Sequence, residues 1–160
     1  VYRNIDRTKV QFDFLVHGNK ENYYEDEVKK LGGKIYRVPL VRNYTKYKKE
    51  MKKFLTENNY QTIHIHSAYS ISYFDAKIAK ECNIKNVIVH CHSTGTNGKK
   101  RRIIHTLLKN RIDKKADYKF SCSNEAARWM FSNKTIKNKN YTIIKNAINT
   151  SKYQYKQERN

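Results

Sequence analysis

Apolar residues recur along the chain with two different periods, and each change of period predicts a new element. From Val10 to Val16 every second side chain is apolar, which predicts a strand. From Tyr47 to Leu55 the apolar positions follow helical spacing within a lysine-rich segment, which predicts a helix. Gly32 and Pro39 are placed to end a helix and a strand. The same reasoning predicts strands at 10–16, 34–39, 62–66, 86–92, 118–123 and 141–146, and helices at 21–33, 44–58, 70–83, about 100–116 and 124–131.

Strands and helices therefore alternate through the whole chain. Such alternation predicts an α/β fold with a doubly wound, mostly parallel, Rossmann-like sheet and helices on both faces. Ligands of these sheets bind beyond the carboxyl ends of the strands. His66, His92 and Ser123 fall at three such ends, so this edge of the sheet is the predicted site.

Two predicted strands end in histidines spaced by two. Residues two apart on a strand share a face, so His64 and His66 leave one strand together, and His90 and His92 leave another. The two strand ends are expected to converge. Four imidazoles together with the Cys91 thiol suit zinc in principle, which leaves a metal site as one alternative.

Charge adds a class of partner to this picture. The 34 Lys and Arg residues against 14 Asp and Glu give a formal charge of +20, which attracts nucleic acid, anionic lipid or a phosphorylated substrate. Lys, Asn, Tyr and Ile are abundant, as in proteins from AT-rich genomes, so codon bias is an alternative source of part of this charge. A basic, tyrosine-rich nucleic-acid-binding domain is therefore the alternative function, although no RNP, KH or zinc-finger pattern is present.

Cysteine usage and hydropathy restrict the compartment. The three cysteines form neither a C-x-x-C pair nor an even set for a disulfide framework, which indicates a reducing, cytoplasmic environment. No apolar run reaches the roughly 18 residues of a membrane span, and the first ten residues do not have the form of a signal peptide.

The order of several motifs identifies a family. The runs "YRNIDRTKVQFDFLVHG", "YYEDEVKKLGGKIYRVP", "VIVHCHSTG", "FSCSNEAARWMF" and "IIKNAINTSKYQY" occur in this order and cover most of the chain. Together they resemble the N-terminal domain of family 4 glycosyltransferases, especially those of bacterial capsule and exopolysaccharide synthesis. The resemblance implies the GT-B arrangement of two facing Rossmann-like domains. It implies sugar transfer from a nucleotide sugar to a saccharide or lipid-linked acceptor, with retention of configuration and without a metal or other cofactor.

The two ends of the chain depart from the family pattern. The start looks like the last turns of a helix whose preceding strand is missing, and the polar end leads into no further element. Residues 1–150 are therefore expected to be the acceptor-side domain without its first strand, and residues 151–160 the start of a linker to a donor-binding domain. The nucleotide sugar would contact mainly that second domain, so the 160 residues alone are expected to be inactive.

The resemblance also assigns candidate residues. His92 matches a family histidine near the transferred sugar and is the catalytic candidate, and His66 matches a looser pattern nearby. His64 and His90 lie further back and are predicted to be packed. Capping by backbone groups is the structural alternative for His92. Because the resemblance gives the histidines a metal-free role, no metal site is expected.

Other polar residues at the strand ends are weaker candidates. Ser93, Thr94 and Gly95 have groups suited to sugar or phosphate contact, although an ordinary loop also favours these residue types. Ser123 is a natural N-cap, and the same helix end could bind an anion or the acceptor. Asn146 begins "NAIN", which is similar to the interdomain "NGID"-like turn of the family and suggests a hinge.

A basic amphipathic helix is the last candidate. Lys99, Lys100, Arg101 and Arg102 precede a predicted apolar face of Ile103, Ile104, Leu107, Leu108 and Ile112, opposite His105 and Lys109. Such a helix can lie on an anionic membrane, which would make the protein peripheral on the inner face of the plasma membrane. The alternative is a core-packing helix with a solvated basic end.

Overall fold

The fold consists of parallel strands alternating with helices, in two compact units, one up to Tyr60 and the other from Gln61. It is defined by a computed structural model that describes residues 2–21 and 23–147. Every strand pairing among these residues is parallel. The predicted α/β class is thus confirmed. The predicted linker at 151–160 lies outside the described residues.

The first unit contains two strands and two helices. Its strands β1 (Phe14–His17) and β2 (Ile35–Val38) pair in parallel along their whole length. The helices are α1 (Glu25–Lys30) and α2 (Tyr44–Glu57), and a 3₁₀ turn at Tyr2–Asn4 lies where the last turns of a helix were expected.

The prediction that the first strand begins at residue 10 is wrong. Pairing with β2 starts only at Phe14, and the side chains of Val10 and Phe12 remain 49% and 38% exposed. Alternation of apolar residues forms a strand only where a neighbouring strand supplies backbone pairing and another element covers the apolar face.

Local signals account for the helices of this unit. Gly32 lies just after α1 and adopts a left-handed φ of +83°. This conformation agrees with the prediction that Gly32 ends the helix. The Asn43 side chain caps α2 by accepting from the Lys46 amide. Tyr47, Met51 and Leu55, four residues apart on α2, are buried in the core of this unit.

The second unit is built on a four-stranded sheet with the order β3-β4-β5-β6. The strands are β3 (Thr62–Ser67), β4 (Asn86–Cys91), β5 (Tyr118–Ser121) and β6 (Thr142–Ile143). A 3₁₀ turn at Ser70–Ser72 leads into α3 (Tyr73–Glu81), and α4 (Lys99–Ile112) and α5 (Asn124–Met130) follow. A short helix α6 (Asn133–Lys137), which the sequence did not predict, is capped by Ser132.

The central strand β4 explains why this sheet holds its site rigidly. Val87, Val89 and Cys91 are fully buried, as expected for a parallel strand covered on its faces. The helices contribute small residues that allow close packing. Those fully buried small residues are Ala76, Ala79, Ala126 and Ala127.

Helix α4 is oriented differently from the prediction. His105 is buried, at 3% exposure, whereas Ile103 and Leu107 are 60% and 65% exposed. The His105 ring accepts from the Ser70 hydroxyl at Nδ1, donates to the Trp129 carbonyl at Nε2 and stacks on the Trp129 ring at 3.8 Å. These contacts turn His105 towards the core. The apolar face that was predicted opposite to His105 is therefore divided into buried and exposed side chains. None of the helices in the described part of the chain combines the length and the hydropathy of a membrane span.

Candidate functional site

Four histidines gather where β3 and β4 end. His66 is the register partner of His90 across the two strands, and His92 follows β4 directly. The ring centroids of His64 and His66 are 4.2 Å apart, and those of His90 and His92 are 4.0 Å apart. The sequence predicted that the two strand ends converge, and the strands place the four rings in one cluster, the histidine cluster.

A hydrogen-bonded relay links three of the predicted site residues. His66 Nδ1 lies 2.8 Å from His92 Nε2, and His92 Nδ1 lies 3.2 Å from Asn146 Oδ1. The amide oxygen accepts, so His92 Nδ1 carries the hydrogen and its Nε2 accepts from His66 Nδ1. His66 Nε2 is then left with a lone pair. The sequence named these three residues separately and did not predict that they form one chain.

The remaining two histidines form a second pair deeper on the strands. His64 Nε2 lies 3.2 Å from His90 Nδ1, and Phe120 presents its ring edge-on to both rings at about 6 Å. His90 is buried, as predicted, and its Nε2 has no hydrogen-bond partner among the described residues. The prediction that His64 is packed is wrong, because β3 is an edge strand of this sheet and the side chain is exposed.

The cluster favours neutral imidazoles. Desolvation within the cluster first, and the neighbouring imidazoles in addition, lower the pKa of His64 to about 4 and that of His90 to about 4. The pKa of His66 is lowered by burial first and by His92 second. Near pH 7 these three rings therefore keep a lone pair on one nitrogen. One ring nitrogen from each of His64, His66 and His90 lies within 4.8 Å of the others, a grouping able to hold a metal ion.

Serines shape the turns at three neighbouring strand ends. Ser93 Oγ donates to the Gly95 carbonyl at 2.7 Å, and Ser67 and Ser121 make the corresponding bonds two residues ahead. The Ser93 hydroxyl is thus engaged within its own turn, whereas Thr94 is exposed. A Cβ at Gly95 would meet no described atom within 4 Å, so no steric contact requires glycine there. The sequence did not predict a role for Ser67 and Ser121. Their position as the last residue of a strand is the signal that could have identified them.

Ser123 caps helix α5. Its side chain accepts from the Ala126 amide at 3.2 Å, which confirms the predicted N-cap. Its contact with an acceptor stays a prediction, as does the hinge role of Asn146.

The basic run occupies the first turn of α4. Lys99, Lys100, Arg101 and Arg102 are all exposed. The exposed Ile103 and Leu107 side chains line a shallow groove beside them, together with Thr106. The four basic residues, together with Ile103 and Leu107, form a mixed basic and apolar surface, which we call the α4 surface. Its apolar part contains only some of the residues of the predicted apolar face.

Comparison with known proteins agrees with the motif order. The family model for "Glycosyltransferase Family 4" matches residues 2–152. A curated relative, "Putative glycosyltransferase EpsF" from Bacillus subtilis (strain 168), is 27% identical over 157 residues. That alignment covers 92% of this chain and 40% of the relative, so the chain spans less than half of the relative's length. No solved structure matches the chain significantly.

Proposed function

The chain belongs to glycosyltransferase family 4, and from this premise we propose that it is the acceptor-side domain of a retaining GT-B hexosyltransferase. The proposed reaction moves a sugar from a nucleotide-sugar donor to a saccharide or lipid-linked acceptor in cell-surface polysaccharide synthesis. The observation that carries the proposal is the family match over residues 2–152. A second domain would bind most of the donor, and no metal or other cofactor is required.

The relay supports a role for His92 in this reaction. In the transfer, the bond from the anomeric carbon to the donor phosphate oxygen breaks and its electron pair leaves with the nucleoside diphosphate. The acceptor oxygen forms the new bond to the anomeric carbon, and the acceptor proton passes to the leaving diphosphate. His92 is exposed at the strand edge, and its ring is held from both sides by His66 and Asn146. We assign His92 to a hydrogen bond that its Nδ1 donates to the transferred sugar in place of the Asn146 bond, and His66 Nε2 to accepting a hydrogen bond from a sugar hydroxyl.

The reaction class can be tested directly with the full-length protein. Incubation with a panel of UDP- and GDP-hexoses and a membrane extract as acceptor should release nucleoside diphosphate and form a glycoside. NMR of the product should show the anomeric configuration of the donor. Inversion would refute the retaining mechanism, and the absence of transfer from every donor would refute the proposed activity.

The α4 surface supports a membrane partner on the cytoplasmic side. Four cations at a helix N-terminus oppose the helix dipole, and no acidic residue or side-chain cap compensates there. The run therefore weakens its own helix, which favours a role outside the fold. With Ile103 and Leu107 exposed beside it, the surface suits an anionic bilayer, where cations meet headgroups and apolar side chains enter the interface.

A further inference from the structure

We propose that His64, His66 and His90 form a binding site for a divalent transition-metal ion of the zinc class. Each offers one ring nitrogen, and the three nitrogens lie within 4.8 Å of one another. Imidazole nitrogen is a preferred zinc ligand, and tetrahedral zinc at about 2.0–2.1 Å from each nitrogen separates its ligand atoms by about 3.3 Å. Small side-chain rotations bring the three nitrogens to that spacing.

One contact already has the required distance. His64 Nε2 and His90 Nδ1 are 3.2 Å apart, close to the separation of two ligands on a tetrahedral ion. The histidines project from two adjacent, register-paired strands, so the backbone fixes their spacing. The site is therefore largely formed before an ion arrives.

The hydrogen bond of His66 matches that of a metal-binding histidine. A ligating imidazole ordinarily donates its other N–H to an acceptor, which fixes the ring and its tautomer. His66 Nδ1 donates in this way to His92, which is itself held by Asn146, and the lone pair of His66 remains on Nε2.

His90 is the buried member of the cluster. His90 is 5% exposed, and its Nε2 has no hydrogen-bond partner among the described residues. An imidazole binds one ion through one nitrogen, so when Nδ1 faces His64 and the ion, Nε2 carries the ring hydrogen and is not a ligand. The Phe120 ring packs at 89° to the His90 ring, with the ring centroids 5.9 Å apart.

An ion and a sugar hydroxyl compete for the lone pair of His66 Nε2, so a bound ion displaces the proposed sugar contact at that atom. The proposed transfer reaction needs no ion, so failure of one proposal leaves the other standing. The site takes a resident or regulatory ion, and its test is a binding measurement rather than an activity assay.

Calorimetric titration of the chelator-treated protein with ZnCl₂ should show one ion per chain. The melting temperature should rise as zinc is added, because the ion binds only the folded cluster. His64→Ala and His66→Ala should each weaken zinc binding on the order of 10- to 100-fold or more. His17→Ala is the matched control, since His17 is an exposed histidine on β1 that is not one of the three grouped histidines, and this variant should bind zinc like the parent protein.

Cobalt provides a readout that separates geometry from folding. Co²⁺ in the parent protein should give the intense visible absorption of a tetrahedral ion, and addition of Zn²⁺ should remove it. His90→Gln should lose this absorption while retaining its far-UV circular dichroism. If this variant does not fold, the cobalt spectra of the His64→Ala and His66→Ala variants test the site instead. Equal zinc affinity in the His64, His66 and parent proteins, or only the weak spectrum of octahedral cobalt, would overturn the proposal.

Discussion

Single residues of the same type have different environments in this protein. His92 is exposed and hydrogen-bonded on both ring nitrogens, whereas His90, two residues earlier, is buried with one nitrogen unpaired. His105 is buried on another element and bonded at both nitrogens. These differences give separate expectations for each histidine.

Replacement of His92 tests its proposed contact with the sugar. In the full-length enzyme, His92→Ala should lower kcat on the order of 10- to 1000-fold, as for removal of one preorganised donor. Its melting temperature should stay close to that of the parent, because the side chain is exposed. Turnover and thermal unfolding measured on the same preparation check both expectations.

His90→Ala is the comparison for that experiment. Its side chain is buried, so removal should lower the melting temperature more than His92→Ala does. A His92→Ala protein that melts early yet turns over normally per folded molecule would show that the histidine is only structural.

His105 predicts a pH dependence of stability. Burial first, and the nearby Lys109 charge in addition, lower the pKa of His105, although its bond to the Trp129 carbonyl opposes the shift. The unfolded histidine takes up a proton below about pH 6.5, before the folded one does. Its contribution to stability is thus complete above that pH and is lost as the pH falls towards the lower folded pKa.

Urea unfolding at a series of pH values from about 8 to about 5 measures this loss through the free energy of unfolding. The His105→Gln variant should show a smaller decrease over the same range, because the glutamine does not titrate. The other histidines with lowered pKa values titrate equally in both proteins. An identical pH dependence in the two proteins would contradict the assignment to His105.

At the scale of elements, the first turns of the helices differ in capping and in charge. Helices α5 and α6 begin with serine caps, and α2 begins with an asparagine cap. Helix α4 instead follows Gly98, makes no side-chain cap and has a basic first turn. The caps stabilise the N-termini of α2, α5 and α6, whereas the first turn of α4 places positive charges on the surface.

Removal of the α5 cap should be measurable. Ser123→Ala should reduce the free energy of unfolding by about 1 kcal/mol, since the Ala126 amide loses its acceptor. Ser123→Asn should retain most of the stability because asparagine is an equally good cap. Chemical denaturation gives both values, and unchanged stability in the alanine variant would rule out the capping role.

The charge of the whole molecule, formally +20, attracts any polyanion. Membrane binding through α4 therefore has to be separated from binding through net charge. Binding to vesicles of anionic lipid should weaken as salt rises, because the screening length falls to about 8 Å at physiological ionic strength.

Two matched variants make this separation. Replacing Lys99, Lys100, Arg101 and Arg102 by Gln should weaken vesicle binding more than replacing four exposed lysines elsewhere, Lys46, Lys49, Lys134 and Lys137. Leu107→Ser should weaken binding without changing the charge, since Leu107 is 65% exposed. Equal losses from both sets of four would attribute binding to net charge, and tighter binding to single-stranded RNA than to vesicles would favour the nucleic-acid alternative.

The sequence by itself determined the features that depend on neighbours along the chain. The period of apolar residues predicted α2 and its buried stripe, and local polar residues predicted the cap at Ser123 and the turn at Gly32. Alternation of strands and helices determined the α/β class. These signals are local because helix and cap hydrogen bonds join residues a few positions apart, and the alternation of a strand is a property of adjacent residues.

Tertiary structure alone decided which of these residues meet and which faces are covered. The His92 to Asn146 bond spans 54 residues, and no spacing rule predicts it. Strand β1 starts at Phe14 because its partner begins at Ile35, and α4 turns His105 inward because Ser70 and Trp129 bond its ring. In each case a contact between distant parts of the chain outweighs the local pattern, because burial and pairing depend on the partner that the fold supplies.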